Sequence, residues 1–366
     1  MVMTLHDILE GATKFGASDI HLSEDQPPCL RVNGMLRSVQ APPMTHEMLV
    51  TCLKDIMPKS LEPKFNEKGG VDFGYQYNKA LRYRVNAYLE SQRMKIVLRT
   101  ISLHIPTIED LELPEVLKRI AMQGRGLVLV TGATGSGKST TLAAMIEHVN
   151  TVSAECIITI EDPIEFVYQN KKSIITQREV GMDLPDFNTG LVHALRQDPD
   201  IILIGEMRDT ETMRVAIKAA ETGHLVFSTL HTTNAVQTVE RIITTFPEEE
   251  RDLIREQIAF NLKSAISQRL MRRTGGKGRI AALEIMYVNT TIEKLIYENR
   301  IRDIPGVISG CEDGMMLFDQ ALADLARAKK VDQEEAEKYC DDLYAFRRFV
   351  KGIKASGEGG GIISGF

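Results

Sequence analysis

The stretch Gly132-Ala133-Thr134-Gly135-Ser136-Gly137-Lys138-Ser139-Thr140 constrains this chain more than any other. It satisfies G-x-x-x-x-G-K-[ST] at every fixed position, and such a loop needs a strand before it and a helix after it. Both neighbours are legible. Gly126–Thr131 is a short apolar, β-branched run that reads as a buried strand, and Thr141–Val149 carries apolar residues at helical spacing.

The chemistry follows from the backbone. Glycines let the loop curl so that successive N–H groups converge on phosphate oxygens, while the helix N-terminus adds positive potential. Gly132, Thr134, Gly135, Ser136, Gly137, Lys138, Ser139 and Thr140 are therefore the expected nucleotide-binding residues. Lys138 would reach the β- and γ-phosphates of ATP, and the Ser139 hydroxyl would ligate Mg²⁺. The alternative is a Gly-rich turn between strand and helix with no ligand.

At 366 residues, two or three domains are expected. The formal net charge of -6 argues against a dedicated nucleic-acid binder, whose affinity rests on a basic surface. Five cysteines (Cys29, Cys52, Cys156, Cys311, Cys340) are scattered without a C-x-x-C pair, which fits reduced thiols in a cytoplasm and offers no zinc site. The first residues show no signal-peptide pattern. No run approaches the roughly 18 apolar residues of a membrane helix, so direct membrane insertion is not expected and any membrane role comes through a partner.

Residues 1–105 read as a small α/β domain. Met3, Leu5, Ile8, Leu9, Ala12 and Phe15 form a helical stripe, Asp19–Ser23 alternates like a strand, and Asn33-Gly34 signals a tight hairpin between Pro28–Val32 and Met35–Val39. Two helices near 45–56 and 58–68 precede strands at Val71–Tyr77, Leu81–Leu89 and Lys95–Ile101. Arg82, Arg84, Arg93 and Arg99 lie on or beside the last two strands, with Arg82 and Arg84 on one face. They are either a solvated face with cross-strand pairs or the source of arginines that meet nucleotide. In the second case Arg84 or Arg99 would act in trans on a neighbouring subunit's γ-phosphate, and Arg82 would contribute to binding. Residues 106–122 read as a linker and a helix, with Pro114 at its first position.

From 123 to 275, short apolar strands alternate with helices, as in a mostly parallel sheet. Cys156–Ile160 ends in Glu161-Asp162-Pro163-Ile164-Glu165, carboxylates where open α/β sheets bind ligands. Ile201–Ile204, Gly205 and Glu206 have the Walker B layout, which makes Glu206 a magnesium-shell acid beside Ser139. His224 and His231 bracket the strand that ends at Leu230. They are either structural histidines or, beside a nucleotide sheet, sensors of the γ-phosphate.

Taken together, GATGSGKST (132–140), TIEDPIEF (159–166), ALRQDPDIILIGEMRD (194–209) and AAETGHLVFSTLHTTNA (219–235) closely resemble the secretion ATPase superfamily. Within it the chain is similar to the PilT family of type IV pilus retraction ATPases, a likeness that also takes in GASDIHLSEDQPPCLRVNGML (16–36) and LRYRVNAY (81–88). The resemblance implies a PAS-like N-terminal α/β domain, a RecA-like P-loop ATPase domain and a helical C-terminal region, assembled as a homohexamer with ATP between the two domains. By motif position, Glu161 and Glu165 fall in the family's Asp box, Glu206 in its Walker B and His224 and His231 in its His box. Either Asp-box glutamate could activate water, with Glu165 favoured. An inner-membrane pilus platform protein and other pilus ATPases are the implied partners, with the motor cytoplasmic and peripheral to the inner membrane through the pilus machine. The extra N-terminal domain and four-cysteine zinc site usual in assembly and secretion members are missing, which shifts the expectation toward retraction.

The match thins over 276–355, expected to be mostly helical after a strand at Arg279–Val288. Thr291–Glu298 stands where the retraction family has a motif close to AIRNLIRE, and Glu293 and Tyr297 replace its arginines. An accessory PilU-type paralogue, or a nucleotide-gated partner of another motor, is the alternative this raises. A RecA-like machine on DNA would share the fold, but the acidic balance speaks against it. Residues 356–366 are Gly-rich and are expected to form a tail.

Overall fold

The computed structural model describes residues 4–32, 34–78, 81–101, 104–276 and 278–353. The expected hairpin residue Asn33 and the tail 356–366 lie outside them. Two compact units are present: Met1–Ile105 with Ile160–Gln169 and Gln177–Gly190, and Pro106–Thr159 with Asn170–Thr176 and Leu191–Phe366.

The first unit opens with α1 (Leu5–Lys14), where Thr4 and Asp7 form a reciprocal capping box. There follow β1 (Asp19–Ser23), β2 (Cys29–Val32), β3 (Met35–Ser38), α2 (His46–Ile56), α3 (Glu62–Lys68), β4 (Gly70–Asn78), β5 (Leu81–Glu90) and β6 (Arg93–Ile101). The strands make one sheet in the order β3-β2-β1-β6-β5-β4, with antiparallel neighbours. Strand alternation sorts the faces. Tyr83, Val85, Ala87, Ile96 and Leu98 join Leu9, Ile20, Leu49 and Leu53 in a common core. Arg82, Arg84 and Arg99 therefore occupy the opposite face, and Arg84 stands directly across from Arg99.

The chain continues through α4 (Val116–Ala121), β7 (Gly126–Thr131), α5 (Lys138–Val152), β8 (Cys156–Glu161), β9 (Ile174–Glu179), α6 (Phe187–Ala194), β10 (Ile201–Ile204), α7 (Thr210–Glu221), β11 (Leu225–Leu230), α8 (Ala235–Thr245), α9 (Arg251–Asn261), β12 (Leu262–Arg272) and β13 (Arg279–Tyr287). α10 (Thr290–Tyr297), α11 (Ile304–Ile308), α12 (Phe318–Arg327), α13 (Gln333–Glu337) and α14 (Leu343–Val350) complete it. The seven-stranded sheet has the order β13-β12-β7-β11-β10-β8-β9. β12, β7, β11 and β10 are mutually parallel, and every residue of β7, β11 and β10 is buried. Burial on both faces is why those strands read as unbroken apolar runs.

Three elements depart from sequence expectation. β9 and β12 had no clear signal; β12 hides because Ser264, Ser267 and Gln268 are polar yet buried. α4 starts at Val116, so Pro114 lies before the helix rather than at its first position. β13 pairs antiparallel with β12 along its whole length, at the end of the seven-stranded sheet, and the helices beyond it gather Phe318, Leu322, Val331 and Phe346 around Met271 and Ile280. Among the described residues no helix is long and apolar enough to cross a membrane.

Candidate functional site

The phosphate loop leaves β7 at its C-terminal end and runs into α5. Gly132, Gly135 and Gly137 all have positive φ, at 142°, 79° and 91°, which other residues adopt only under strain. Gly137 is the N-cap of α5 and supplies no side-chain cap, so the first-turn N–H groups are left for a ligand. Lys138 Nζ donates to the carbonyls of Gly132 at 2.9 Å and Ala133 at 3.2 Å, folding its stem back over the loop. Thr134, Gly135 and Ser139 are exposed, whereas Ser136 is buried and its N–H donates to the Ala133 carbonyl at 3.1 Å within the loop.

Parallel pairing sets the second half of the site. Thr131 lies across from Leu230, and Ile204 across from Ser228, so Gly132, His231 and Glu206 all follow strand ends at one edge of the sheet. The Thr229 hydroxyl donates to the Gly205 carbonyl at 2.7 Å, tying the Walker B strand to its neighbour just before the acid. Glu206 meets His231 Nε2 at 3.0 Å with one carboxylate oxygen and Arg208 at 2.8 Å with the other. His224 lies at the far end of β11, where its backbone carbonyl accepts from Gly126 N–H and its Nδ1 lies 3.0 Å from the Ala219 carbonyl. The structure does not bring His224 to the phosphate loop.

Within the first unit the Asp-box turn is organised by Gln177, whose amide donates to Glu161 at 3.1 Å and to the Phe166 carbonyl at 2.8 Å. Glu165 is exposed on the same turn. Arg82 is paired with Glu179 at 3.0 Å, and that buried carboxylate also accepts the N–H groups of Gly74 and Ile164. Arg99 donates to Asp19 at 2.8 Å yet stays 67% exposed, and Arg84 reaches toward Asp72 at 4.0 Å. Burial disfavours the Asp19 charge, but hydrogen bonds from Arg99 and Ser18 and the charge of Arg99 outweigh it and hold the carboxyl below its usual range.

Comparison with known proteins decides what these parts belong to. The family profile for Type II/IV secretion system proteins matches residues 1–304. The chain belongs to the type II/IV secretion system protein family. The type IV pilus retraction ATPase PilT of Pseudomonas aeruginosa is 44% identical over 337 residues, spanning 92% of this chain and 98% of that one. The type IV pilus ATPase PilU of the same organism is 38% identical over 350 residues, spanning 95% and 92%. A crystal structure of the pilus retraction motor PilT with bound ADP matches with a TM-score of 0.89 at 39% identity, covering 95% of this chain and 100% of the other. Legionella pneumophila ATPase DotB matches at 0.74 and 28%, covering 92% and 96%.

This family member is thus a PilT-type ATPase, with an N-terminal α/β domain and a RecA-like ATPase domain. Ser139 and Glu206 offer the hard oxygen donors Mg²⁺ takes, and two protein donors suit an ion that completes its shell with phosphates and water. Three participants escaped the sequence. Arg208 lies within the quoted stretch 194–209 and Glu179 beyond the Asp-box stretch, both defined only by their partners, and Gln268 lies on the strand that could not be read.

Proposed function

We propose that this chain is one subunit of a homohexameric motor that hydrolyses ATP to retract a type IV pilus, acting through an inner-membrane platform protein from the cytoplasmic side. The observation that carries this is a complete phosphate loop sharing a sheet edge with the Glu206–His231 pair, in a chain 44% identical to a retraction ATPase over 92% of its length. The loop holds the phosphates, Ser139 and Glu206 hold Mg²⁺, which would neutralise phosphate charge, and Glu165 or Glu161 orients water. Arg84 and Arg99 serve a neighbouring subunit's nucleotide; their exposure supports this, at 38% and 67%. The net charge of -6 supports a motor that needs no nucleic acid.

A second reading is an accessory subunit that assists another retraction motor. It is favoured by Glu293 and by Tyr297, which is half exposed with its ring tilted against Phe260 at 6.1 Å. The test is complementation of a host lacking its retraction ATPase, scored for retraction beside purified turnover. Retraction with turnover establishes the principal motor. Turnover without retraction, in the presence of the chain's own platform protein, establishes the accessory role.

A further inference from the structure

Gln268 lies on β12 directly against the phosphate loop, with only 3% of its surface exposed. Its Nε2 donates to the Ser136 carbonyl at 2.8 Å, and its Oε1 accepts from the Thr141 hydroxyl at 2.7 Å. One planar amide therefore joins the last peptide of the loop to the first turn of α5, on either side of Lys138 and Ser139. The loop glycines are fitted around it. A Cβ on Gly137 would come within 2.7 Å of the amide Nε2, and one on Gly132 within 2.5 Å of the Gln268 backbone carbonyl oxygen, so the loop lies close against both the side chain and the strand that carries it. One residue earlier, the Thr131 and Ser267 hydroxyls pair at 2.8 Å and pin β7 to β12.

A loop that aims its N–H groups at a ligand turns carbonyl oxygens the other way, and buried carbonyls need donors. Lys138 serves those of Gly132 and Ala133. The Ser136 carbonyl receives its donor from Gln268. An amide side chain offers a donor and an acceptor together; ionised glutamate lacks the donor and leucine lacks both.

We propose that Gln268 is a positioning residue for nucleotide: it holds the phosphate loop curled before ligand arrives, so that the loop is not ordered at the expense of binding. This rests on the ATPase reading and names a residue through which the loop acts. Gln268→Leu keeps the volume and removes both bonds. The dissociation constant for ADP and the KM for ATP then rise about tenfold, the cost of stranding a buried acceptor. The fall in kcat is much smaller, because the loop grips ground and transition states alike. Thr141→Val, which removes one of the two bonds, gives a smaller rise in both constants. Thermal melting without nucleotide verifies folding of each variant. A folded Gln268→Leu with unchanged ADP affinity, or with kcat alone reduced, overturns the proposal. Should that variant not fold, Gln268→Asn, too short to span both partners, carries the same test with the same overturning result. Wild-type protein that binds no ADP would refute the ATPase reading instead.

Discussion

Glu206 and His231 face each other at 3.0 Å across the ends of two neighbouring parallel strands, and Arg208 occupies the second carboxylate oxygen at 2.8 Å. The acid of the Walker B strand is thereby aimed from two sides. Histidine follows β11, which itself lies between the phosphate-loop strand and the Walker B strand.

Glu206→Gln should retain ATP affinity within a few fold and lose turnover by about 100-fold, since the amide no longer provides an anionic oxygen for the magnesium and water arrangement. His231→Ala should lower turnover by about tenfold or more while ADP affinity holds. Equilibrium binding beside phosphate release measures both. Normal turnover in Glu206→Gln would remove it from the catalytic set.

Arg82 is engaged inside the first unit. A Cβ on Gly74 would run into its guanidinium and come within 3.0 Å of Glu179 Oε2, so the missing side chain is what lets the ion pair close. Arg82→Ala leaves Glu179 buried with a charge and two N–H donors, a loss of about 3–5 kcal/mol in folding stability. Gly74→Val should destabilise by about 1–3 kcal/mol through overpacking at the same place. Urea unfolding reads both. A stable Arg82→Ala that has lost only nucleotide affinity would instead support the ligand role expected from sequence.

How much of this was legible depended on whether a residue's job is local. The phosphate loop, the strand before it and Glu206 announce themselves because a fixed spacing does the chemistry. The unbroken apolar runs of β7, β10 and β11 disclose burial on both faces. β12 was opaque because its polar side chains are satisfied by partners far along the chain, as Gln268 is by Ser136 and Thr141. His224 and His231 look alike in sequence, yet β11 carries them to opposite ends of the sheet. Residues 160–169 and 177–190 belong with the first unit, which no linear boundary could express.

The Asp-box pair should separate by experiment. Gln177 already engages Glu161, whereas Glu165 is exposed on its turn. Glu165→Gln is expected to cut turnover by about 100-fold with folding unchanged, as loss of a general base does. Glu161→Gln should cut it less and lower the melting temperature, since it alters the Gln177 hydrogen bond. The reverse order would make Glu161 the base.

Glu284 gives the chain a pH-dependent stability. It is buried on β13, accepts the Ala235 N–H at 2.7 Å where α8 begins, and is pushed up to about 7, chiefly by burial. The nearby Asp341 adds to the shift, while hydrogen bonds from the Ala235 and Phe318 backbones and the charge of Arg269 oppose it. An acid whose folded pKa lies above its unfolded value holds its proton in the native state after the unfolded chain has released it. Its contribution is complete below pH 4.5 and is lost as pH rises to about 7. The shift corresponds to about 3 kcal/mol at most. Glu284→Gln keeps an acceptor for Ala235 and cannot ionise, so its stability relative to wild type should improve from pH 5 to pH 8. Denaturant unfolding at the two pH values isolates this term, because every other titrating group is common to both proteins. Parallel pH profiles for the two would mean that Glu284 ionises in the folded state as it does in the unfolded chain.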